Sequence, residues 1–216
     1  MKTFIHHSFP ELKRIDGDTN RFYLTPEGKR YPSVSTVAGF KNAQAIKKWR
    51  ESVGEAEANK ISSRASKRGT AIHSLCEQYL KTGSAEPNLF DQEMFNSLVP
   101  ILNLIDNIEA IEQPLYSDPL RVAGTVDLIA TLNGVPSVID FKTSRKPKEK
   151  ENISSYFHQT CMYSHAFYQH TGILINQMAI IIGVDDHEPQ MFIERTRDWV
   201  FPTIELRESF LRAKGY

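Results

Sequence analysis

Cysteine is almost absent from this sequence. Cys76 and Cys161 are the only two among 216 residues, and they lie far apart along the chain. Two cysteines cannot complete a four-cysteine zinc or iron–sulfur site, and they give no sign of a disulfide framework. We therefore expect two buried thiols and no iron–sulfur cluster.

Long apolar runs are also absent. No run approaches the roughly 20 apolar residues that span a bilayer, and the opening residues MKTFIHHSFP lack the apolar stretch of a secretory signal. Hydrophobic residues still make up 40% of the chain, which is enough to bury a sizeable core. We expect one soluble domain over residues 1–216, in the cytoplasm of a bacterial or phage-infected cell and without a membrane partner.

Neither sign of charge predominates, since the formal net charge is zero. The charges are nevertheless segregated. Residues 41–70 are basic, whereas residues 86–118 contain seven acidic residues and no lysine or arginine. A second basic cluster begins at Lys142 and continues to Lys150. This segregation excludes nucleic-acid binding over the whole surface but permits local contacts, with a solvated loop as the alternative for the second cluster.

A predicted β-hairpin in the middle of the chain carries the main chemical signal. Its turn is Asn133-Gly134, a pair that tolerates the positive φ angles of a type I′ turn. Counting back along an unbulged ladder sets Asp127 opposite Asp140, with Cβ atoms roughly 4.5–5.5 Å apart and with Lys142 on the same face. Two facing carboxylates are destabilising without a cation between them. The pattern therefore predicts a divalent metal ion at this pair.

The opposite face of the hairpin is apolar, with Val126, Leu128, Ile139 and Phe141 in alternation with the polar set. That alternation predicts burial against a core. Pro136 removes one ladder donor and indicates an edge position or a bulge, and a bulge would break the predicted pairing.

The segment before the hairpin is predicted to be mostly helical. Residues 43–67 have a basic, amphipathic composition, and Thr70 is predicted to be the N-cap of a second helix that ends at Gly83. In this second helix His73 and Glu77 flank an apolar stripe. A histidine at such a place is more often a core or capping residue than a ligand, so its role stays open at this point.

The rest of the chain alternates between predicted helices and strands. A helix is expected over residues 91–108, and a strand over residues 111–116 brings Glu112 toward the hairpin, either as an acidic helper or as an exposed edge carboxylate. A helix over residues 154–171 places Gln159 and Tyr163 on one face. Short strands are expected at 176–184 and 191–195, and an N-terminal hairpin turns at 25–28.

Four motifs in order resemble those of the PD-(D/E)xK nuclease superfamily. Along the chain they are Gly69-Thr70-Ala71-Ile72-His73, Gly124-Thr125-Val126-Asp127, Asp140-Phe141-Lys142 and Gln159-Thr160-Cys161-Met162-Tyr163. The first and the last are similar to motifs of the RecB-like branch. The PSVST segment at 32–36 and the basic helices after it resemble the N-terminal part of the mitochondrial genome maintenance exonucleases and their phage and bacterial relatives. Four ordered motifs are strong evidence, although DxK or QxxxY alone occurs by chance.

The resemblance implies a fold and a metal site. The implied fold class is α/β, with a restriction-endonuclease-like core in which a mixed central β-sheet is flanked by helices. Residues 69–216 would form this core, and residues 1–68 would form an N-terminal hairpin and a basic helical arch. The implied ligands of Mg²⁺ or Mn²⁺ are His73, Asp127, Asp140 and the backbone carbonyl of Phe141.

The resemblance also implies roles for the side chains around the metal. Lys142 would orient or activate water and stabilise negative charge on the phosphate. Gln159 and Tyr163 would support Lys142 or the phosphate. Glu77 would orient the metal-binding imidazole. Glu112 is expected to be a more distant helper because of its place on the predicted strand before the hairpin, and not because of the resemblance.

A path for single-stranded DNA through the arch is a further implication. The predicted nucleic-acid contacts are Lys47, Lys48, Trp49, Arg50, Arg64, Lys67, Arg68, Ser144, Arg145 and Lys146. Tyr31, Phe40 and Trp49 are candidates for stacking on bases, with burial in the core as the alternative for each.

The expected function is that of a metal-dependent DNA exonuclease that prefers single strands or free ends, in recombination, repair or processing of DNA. The sequence has no GxxxxGK[ST] loop, so we expect a separate helicase or recombination protein as a possible partner. Two alternatives stay open. One is a structure-selective or restriction-like endonuclease with the same metal site, and the other is a nucleic-acid-binding module whose nuclease site has decayed.

Overall fold

The computed structural model of the protein describes residues 2–17 and 21–215. Their helices and strands, in chain order, are β1 (Lys13–Asp16), β2 (Arg21–Leu24), β3 (Arg30–Pro32), α1 (Val34–Ala38), α2 (Ala43–Val53), α3 (Glu55–Thr82), α4 (Gln92–Asn103), β4 (Ile105–Ser117), β5 (Val122–Leu132), β6 (Val135–Ser144), α5 (Ser154–Thr171), β7 (Gln177–Val184), β8 (Gln190–Arg195) and α6 (Thr196–Lys214). Short 3₁₀ turns follow α1 and precede α5. None of the helices in the described ranges is both long and apolar enough to cross a membrane.

A five-stranded mixed sheet forms the centre of the fold, in the order β4-β5-β6-β7-β8. All neighbouring strands are antiparallel except β6 and β7, which are parallel. A parallel pair needs a crossover connection, and α5 provides it. The first three strands form a separate antiparallel sheet. The predicted α/β fold, a mixed central sheet flanked by helices, is therefore confirmed.

The turn between β5 and β6 has the predicted form. Asn133 and Gly134 adopt φ angles of 50° and 80°, as a type I′ turn requires. Leu132 pairs with Val135, and the regular pairing continues to Leu128 and Ile139, where it ends. Pro136 pairs with Thr131 without shifting this register. The positions of Asp127 and Asp140 therefore come directly after the last regular pair.

Two layers of helices cover the sheet. On one face α3 and α4 pack against Leu128, Ile139 and Phe141. On the other face α1, α5 and α6 pack against residues such as Val126 and Ile129. The prediction that Val126 shares a core with Leu128 is therefore wrong, because the two side chains belong to different clusters on either side of the sheet. The alternation of side chains between the two faces of β5 is therefore interrupted at Asp127, which lies between Val126 and Leu128.

Helix α3 runs without interruption past the predicted N-cap at Thr70, so the predicted start of a second helix there is wrong. A glycine inside a helix costs about 1 kcal/mol relative to alanine but does not end it, and Gly69 keeps helical geometry. The break that the sequence analysis missed lies at Gly54, where φ is 83°. The predicted end at Gly83 is confirmed, with φ of 83°. One rigid helix therefore connects the basic N-terminal segment to the sheet.

The boundary between α4 and β4 also differs from the prediction. The helix expected over residues 91–108 ends at Asn103, and the strand begins at Ile105 rather than at residue 111. Residue Ile105 pairs with Leu132 of β5, and Ile108 exchanges backbone hydrogen bonds with the N-terminal segment around Phe4. These non-local partners hold the segment extended, and short-range helical periodicity could not reveal them.

Candidate active site

A cleft of about 630 Å³ opens where β5 parts from β6. Helix α3, helix α5, strand β4 and the N-terminal sheet form its walls. Seven of the predicted site residues line it, namely His73, Glu77, Glu112, Asp127, Lys142, Gln159 and Tyr163. Residues from five separate elements thus meet in one concave place.

Three potential metal ligands converge in this cleft. One ligand atom each from His73, Glu112 and Asp127 lie within 4.8 Å of one another. His73 Nδ1 is 3.5 Å from Asp127 Oδ2, and His73 Nε2 is 2.6 Å from the backbone carbonyl oxygen of Phe141. One imidazole nitrogen with two carboxylates is a donor set that suits Mg²⁺ and, because of the nitrogen, Mn²⁺. The residues present therefore fit a divalent cation.

Glu112 reaches this group through an unusual backbone conformation. Its neighbours pair with β5 as Ile111–Leu128 and Gln113–Val126, which places Glu112 opposite Asp127. Glu112 itself has φ of 46°, a left-handed conformation that costs a non-glycine residue about 1–3 kcal/mol and clusters at functional sites. Although the residue as a whole is exposed, burial of its carboxyl group in the cleft and the nearby Asp127 raise the pKa of Glu112 to about 7. Glu112 therefore lies closer to His73 and Asp127 than its predicted position as a distant helper.

Asp140 lies beside this group, and Lys142 contacts its Oδ2 atom. Asp140 is 2% exposed, and Gln159 Nε2 donates a hydrogen bond of 2.7 Å to its Oδ1 atom. Burial raises the pKa of Asp140 to about 6, against the opposing effect of Lys142 and with a further increase from Asp127. The group of three potential ligands found among the described residues does not include Asp140. Both of its oxygens already face a side-chain donor.

Lys142 is held as a cation. Burial by itself would lower its pKa, but the charges of Asp140 and Asp127 outweigh burial and raise the pKa of Lys142 above its ordinary value. Its Nζ atom lies 5.2 Å from the ring centroid of Tyr156, within the range of a cation–π contact. Lys142 therefore sits between a carboxylate and an aromatic face.

Asp127 ties the two strands together where their regular pairing ends. Its Oδ2 atom accepts a hydrogen bond of 2.9 Å from the backbone N–H of Phe141. The carbonyl of the same Phe141 faces His73. The backbone N–H and the backbone C=O of this one residue thus each contact a side chain of the candidate metal group.

One face of α5 carries three side chains that contact the candidate site. Tyr156, Gln159 and Tyr163 are spaced i, i+3 and i+7, so they point the same way. Tyr156 contacts Lys142, Gln159 binds Asp140, and the hydroxyl of Tyr163 lies against the backbone of Gly124. Tyr156 is not among the predicted site residues, although its position three residues before Gln159 on the same helix face was a signal for it.

Two arginines in the cleft were also missed. Arg14 and Arg21 line it from the N-terminal sheet, and both bind Asp16, at 2.9 Å and 3.2 Å. The same cleft has Glu77 at its rim, where its carboxylate accepts a hydrogen bond of 2.6 Å from Lys81. The N-terminal hairpin therefore contributes positive charge to the cleft, a role that its local sequence did not reveal.

The predicted nucleic-acid contacts have different environments. Helix α2, which carries Lys47, Lys48 and Trp49, has no buried residue. Arg50 closes the elbow between α2 and α3 by binding Glu55 and Asn59. The exposed side chains in this set are those of Lys47, Lys48, Trp49, Arg64, Lys67, Arg145 and Lys146.

Two predicted stacking residues are engaged elsewhere. Tyr31 is 6% exposed, and its hydroxyl donates a hydrogen bond to Asp118. Phe40 packs edge-to-face on Phe210 at 5.5 Å. The core alternative is therefore the correct one for both rings, and among the three candidates Trp49 alone is exposed, by 36%.

Part of the chain is similar to a known family of proteins. Residues 103–192 match the model of the PD-(D/E)XK nuclease superfamily. This part of the chain belongs to that superfamily. No curated protein matches the chain. Among solved structures, the one described as "Crystal structure of SSO0001" is 12% identical, covers 84% of this chain and 75% of its own, and superimposes with a TM-score of 0.43.

The PD-(D/E)XK segment contains most of the site but not all of it. It begins at the end of α4 and reaches into β8, so it includes Glu112, Asp127, Asp140 and Lys142. His73 lies outside it, on α3. Nucleases of the PD-(D/E)XK superfamily use divalent metal ions, and the group around Asp127 supplies ligands of the appropriate kind.

Proposed function

We propose that the protein is a metal-dependent DNA exonuclease that prefers single-stranded DNA or free ends. The observation that carries this proposal is the convergence of His73, Glu112 and Asp127 within 4.8 Å, next to the Asp140–Lys142 pair and in a superfamily of nucleases. Hydrolysis of a phosphodiester needs groups that hold the phosphate and offset its growing negative charge. These residues are of the types that do so.

His73, Glu112 and Asp127 would hold Mg²⁺ or Mn²⁺. We include Asp140 as a further ligand, because Asp140 and Asp127 come directly after the last regular pair of β5 and β6. One of its oxygens would then exchange its contact with Lys142 or Gln159 for the metal. The backbone N–H of Phe141 donates to Asp127, and the backbone carbonyl of the same residue faces His73. When bound, the metal supplies Lewis acidity toward the phosphate and water.

Lys142 would act through its charge. Since its pKa is raised, it remains an ammonium group at neutral pH, which suits it to hold a phosphate oxygen or to orient water rather than to accept a proton. Tyr156 and Gln159 support this arrangement from α5, Tyr156 through the ring face and Gln159 through Asp140. The lysine can then face the phosphate with little freedom to reorient, which reduces the entropic cost of the reaction.

The preference for single strands or ends rests on the N-terminal helices. Helix α2 and the first half of α3 are exposed and basic, and they join the site through the continuous helix that carries His73. In the mitochondrial genome maintenance exonucleases that the sequence resembles, such helices form an arch over single-stranded DNA. An arch admits a strand by its end, and a separate helicase or recombination protein would supply that end.

The decisive experiment compares end-labelled linear single-stranded DNA with closed circular single-stranded DNA, each in Mg²⁺, Mn²⁺ or EDTA. We expect loss of the linear substrate alone, and only with metal. Cutting of the circle would instead favour the alternative, a structure-selective or restriction-like endonuclease with the same site. Binding without any cleavage would favour a decayed nucleic-acid-binding module.

Two variants make this experiment specific. Asp127→Asn keeps the size of the side chain but removes one carboxylate from the metal group, so it should abolish cleavage. Arg212→Gln removes a charge from an exposed residue of α6, 72% exposed at the side chain, and should leave cleavage unchanged. Equal activity of wild type and Asp127→Asn would refute the proposed site.

A further inference from the structure

A second pocket, of about 350 Å³, lies between α3 and the end of β6. Its volume is at the small end of the range for ligand pockets, which is about 300–1,000 Å³. Four of its residues share one face of α3, and four come from the ends of β6 and β7. They are Ile61, Arg64, Ala65 and Arg68 on the helix, and Thr143, Ser144, Arg145 and Asp185 on the strand side.

This pocket adjoins the candidate active site. Thr143 directly follows Lys142, and a β-carbon on Gly69 would lie 3.8 Å from Thr143 Oγ1. Ala65, Gly69 and His73 are spaced by four residues on α3, so they form one line along the helix. Ala65 and His73 are about 12 Å apart along its axis. The pocket therefore begins one residue from Lys142 on β6 and about two helical turns from His73 on α3.

Two arginines at the pocket have no side-chain partner among the residues that the structure describes. Arg64 and Arg145 are exposed, and neither makes an ion pair or a side-chain hydrogen bond with any residue in the described ranges. Arg68 is different, because its guanidinium binds Asp185 at 2.6 Å. Guanidinium groups recognise phosphate with paired N–H donors, and Arg64 and Arg145 are available for that purpose.

The wall that carries Arg145 is held in place. Ser144 Oγ donates a hydrogen bond of 2.6 Å to the carbonyl of Lys146, and the N–H of Asp185 donates one of 3.0 Å to the carbonyl of Ser144. A site that exists before its ligand arrives loses less entropy on binding. The Ser144 hydroxyl, a predicted nucleic-acid contact, thus shapes the loop.

The inner surface of the pocket includes apolar side chains. Ile61 is half-buried, and Ala65 lies beside it on the same helix face. A site for a simple anion does not need an apolar wall, whereas a nucleobase buries its flat face against one. The two arginines suit the phosphate of a nucleotide, and the apolar wall suits its base.

We propose that this pocket binds one nucleotide of a single strand, adjacent to the nucleotide that is cut. The phosphate lies between Arg64 and Arg145, and the base lies against Ile61 and Ala65. This inference rests on the proposed nuclease function and deepens it. A base that is paired in a duplex enters such a pocket only after it is unstacked and unpaired, at a cost of a few kcal/mol, so the pocket favours single strands.

The test measures binding without cleavage. Fluorescence anisotropy in EDTA would compare a labelled oligothymidine with an abasic strand of the same length, at several salt concentrations. The wild-type protein should bind the oligothymidine more tightly. Ile61→Gln should reduce this preference at least about threefold, while the affinity for the abasic strand stays the same. Arg64→Gln and Arg145→Gln should weaken binding of both strands, and each should lower the salt slope by about 0.7.

The controls separate this inference from the proposed function. Arg212→Gln removes an equal charge from α6, which packs on the other face of the sheet from α3, and this variant should bind like wild type. If Ile61→Gln leaves the preference intact or weakens both strands equally, the nucleotide pocket is refuted, even if the wild-type enzyme cuts DNA. If the wild-type protein shows the base preference but cuts no DNA with any metal, the proposed nuclease function fails while the binding pocket stands.

Discussion

The hydroxyl of Tyr163 occupies the space that a β-carbon at position 124 would need. A β-carbon built on Gly124 would lie 2.6 Å from Tyr163 Oη, a distance at which something must shift. Gly124 is three residues before Asp127 on β5, so this contact sets how closely α5 approaches the strand that carries the candidate ligand. The glycine of one motif and the tyrosine of another thus form a single packing unit.

Gly124→Ala should therefore lower the free energy of unfolding by about 1–3 kcal/mol, the usual cost of overpacking. Tyr163→Phe removes the hydroxyl and should restore part of this loss, since the remaining ring atoms lie at 3.3 Å. Urea denaturation of both single variants and the double variant gives the coupling energy. Additive effects would show that the two residues do not share this contact.

The same substitution at two other glycines should have opposite effects. Gly69 is helical, and its new β-carbon would make only an ordinary contact at 3.8 Å, so Gly69→Ala should stabilise the protein by about 0.5–1 kcal/mol. Gly134 has φ of 80°, so Gly134→Ala should destabilise it by about 1 kcal/mol. Thermal denaturation should show a higher Tm for Gly69→Ala and a lower Tm for Gly134→Ala than for the wild-type protein. Loss of stability in Gly69→Ala would contradict an uninterrupted α3.

Tyr156 should act on catalysis through Lys142. Tyr156→Leu removes the ring face and should lower kcat by about fivefold, as expected for a cation–π contact of about 1 kcal/mol, while KM changes little. Tyr156→Phe keeps the ring and should retain the wild-type kcat. Initial rates on linear single-stranded DNA distinguish these cases. If Tyr156→Phe is as slow as Tyr156→Leu, the loss of kcat comes from the hydroxyl and not from the ring face.

Glu112 should contribute to metal binding. A metal ion that binds the folded chain but not the unfolded chain stabilises the folded state. Mn²⁺ should therefore raise the Tm of the wild-type protein. Glu112→Gln removes one negative charge from the group and should reduce this increase. Glu109→Gln is a matched control, since Glu109 binds His7 at 2.7 Å outside the group. An equal increase in all three proteins would exclude Glu112 as a ligand.

His158 should make stability depend on pH. Burial lowers its pKa to about 4, with a smaller effect from Lys41, whereas an unfolded histidine has a pKa of about 6.5. The unfolded chain therefore binds a proton that the folded chain does not. This contribution to stability is complete above pH 6.5 and decreases as the pH falls toward 4. Between pH 7.5 and 5.0 the loss is about 2 kcal/mol.

The measurement is urea denaturation in EDTA at these two pH values. His158→Gln keeps an acceptor near Thr203, whose hydroxyl lies 2.9 Å from His158 Nδ1, but cannot titrate. The wild-type protein should lose about 2 kcal/mol more than this variant over the same interval. Equal losses would show that His158 does not cause the dependence.

Several features could be predicted from short stretches of sequence. Asn133-Gly134 and the alternation around it determined the hairpin and its pairing as far as Leu128–Ile139, because turn conformation and strand period are local properties. Gly83 likewise ended its helix as expected. Periodicity could not determine that Gly69 stays helical, because a glycine can either end a helix or lie inside one at modest cost. It could not determine that residues 105–108 are extended, because their hydrogen-bond partners are distant in sequence.

The amino-acid sequence by itself determined which side-chain types the candidate site has available, since carboxylates, an imidazole and a lysine in ordered motifs are chemical identities. The tertiary structure alone decided how they group. It brought Glu112 to His73 and Asp127 through a left-handed backbone, paired Asp140 with Lys142 and Gln159, and placed Tyr156 against the lysine. The physical reason is that such contacts join residues dozens of positions apart, and their geometry depends on where strands part and helices pack.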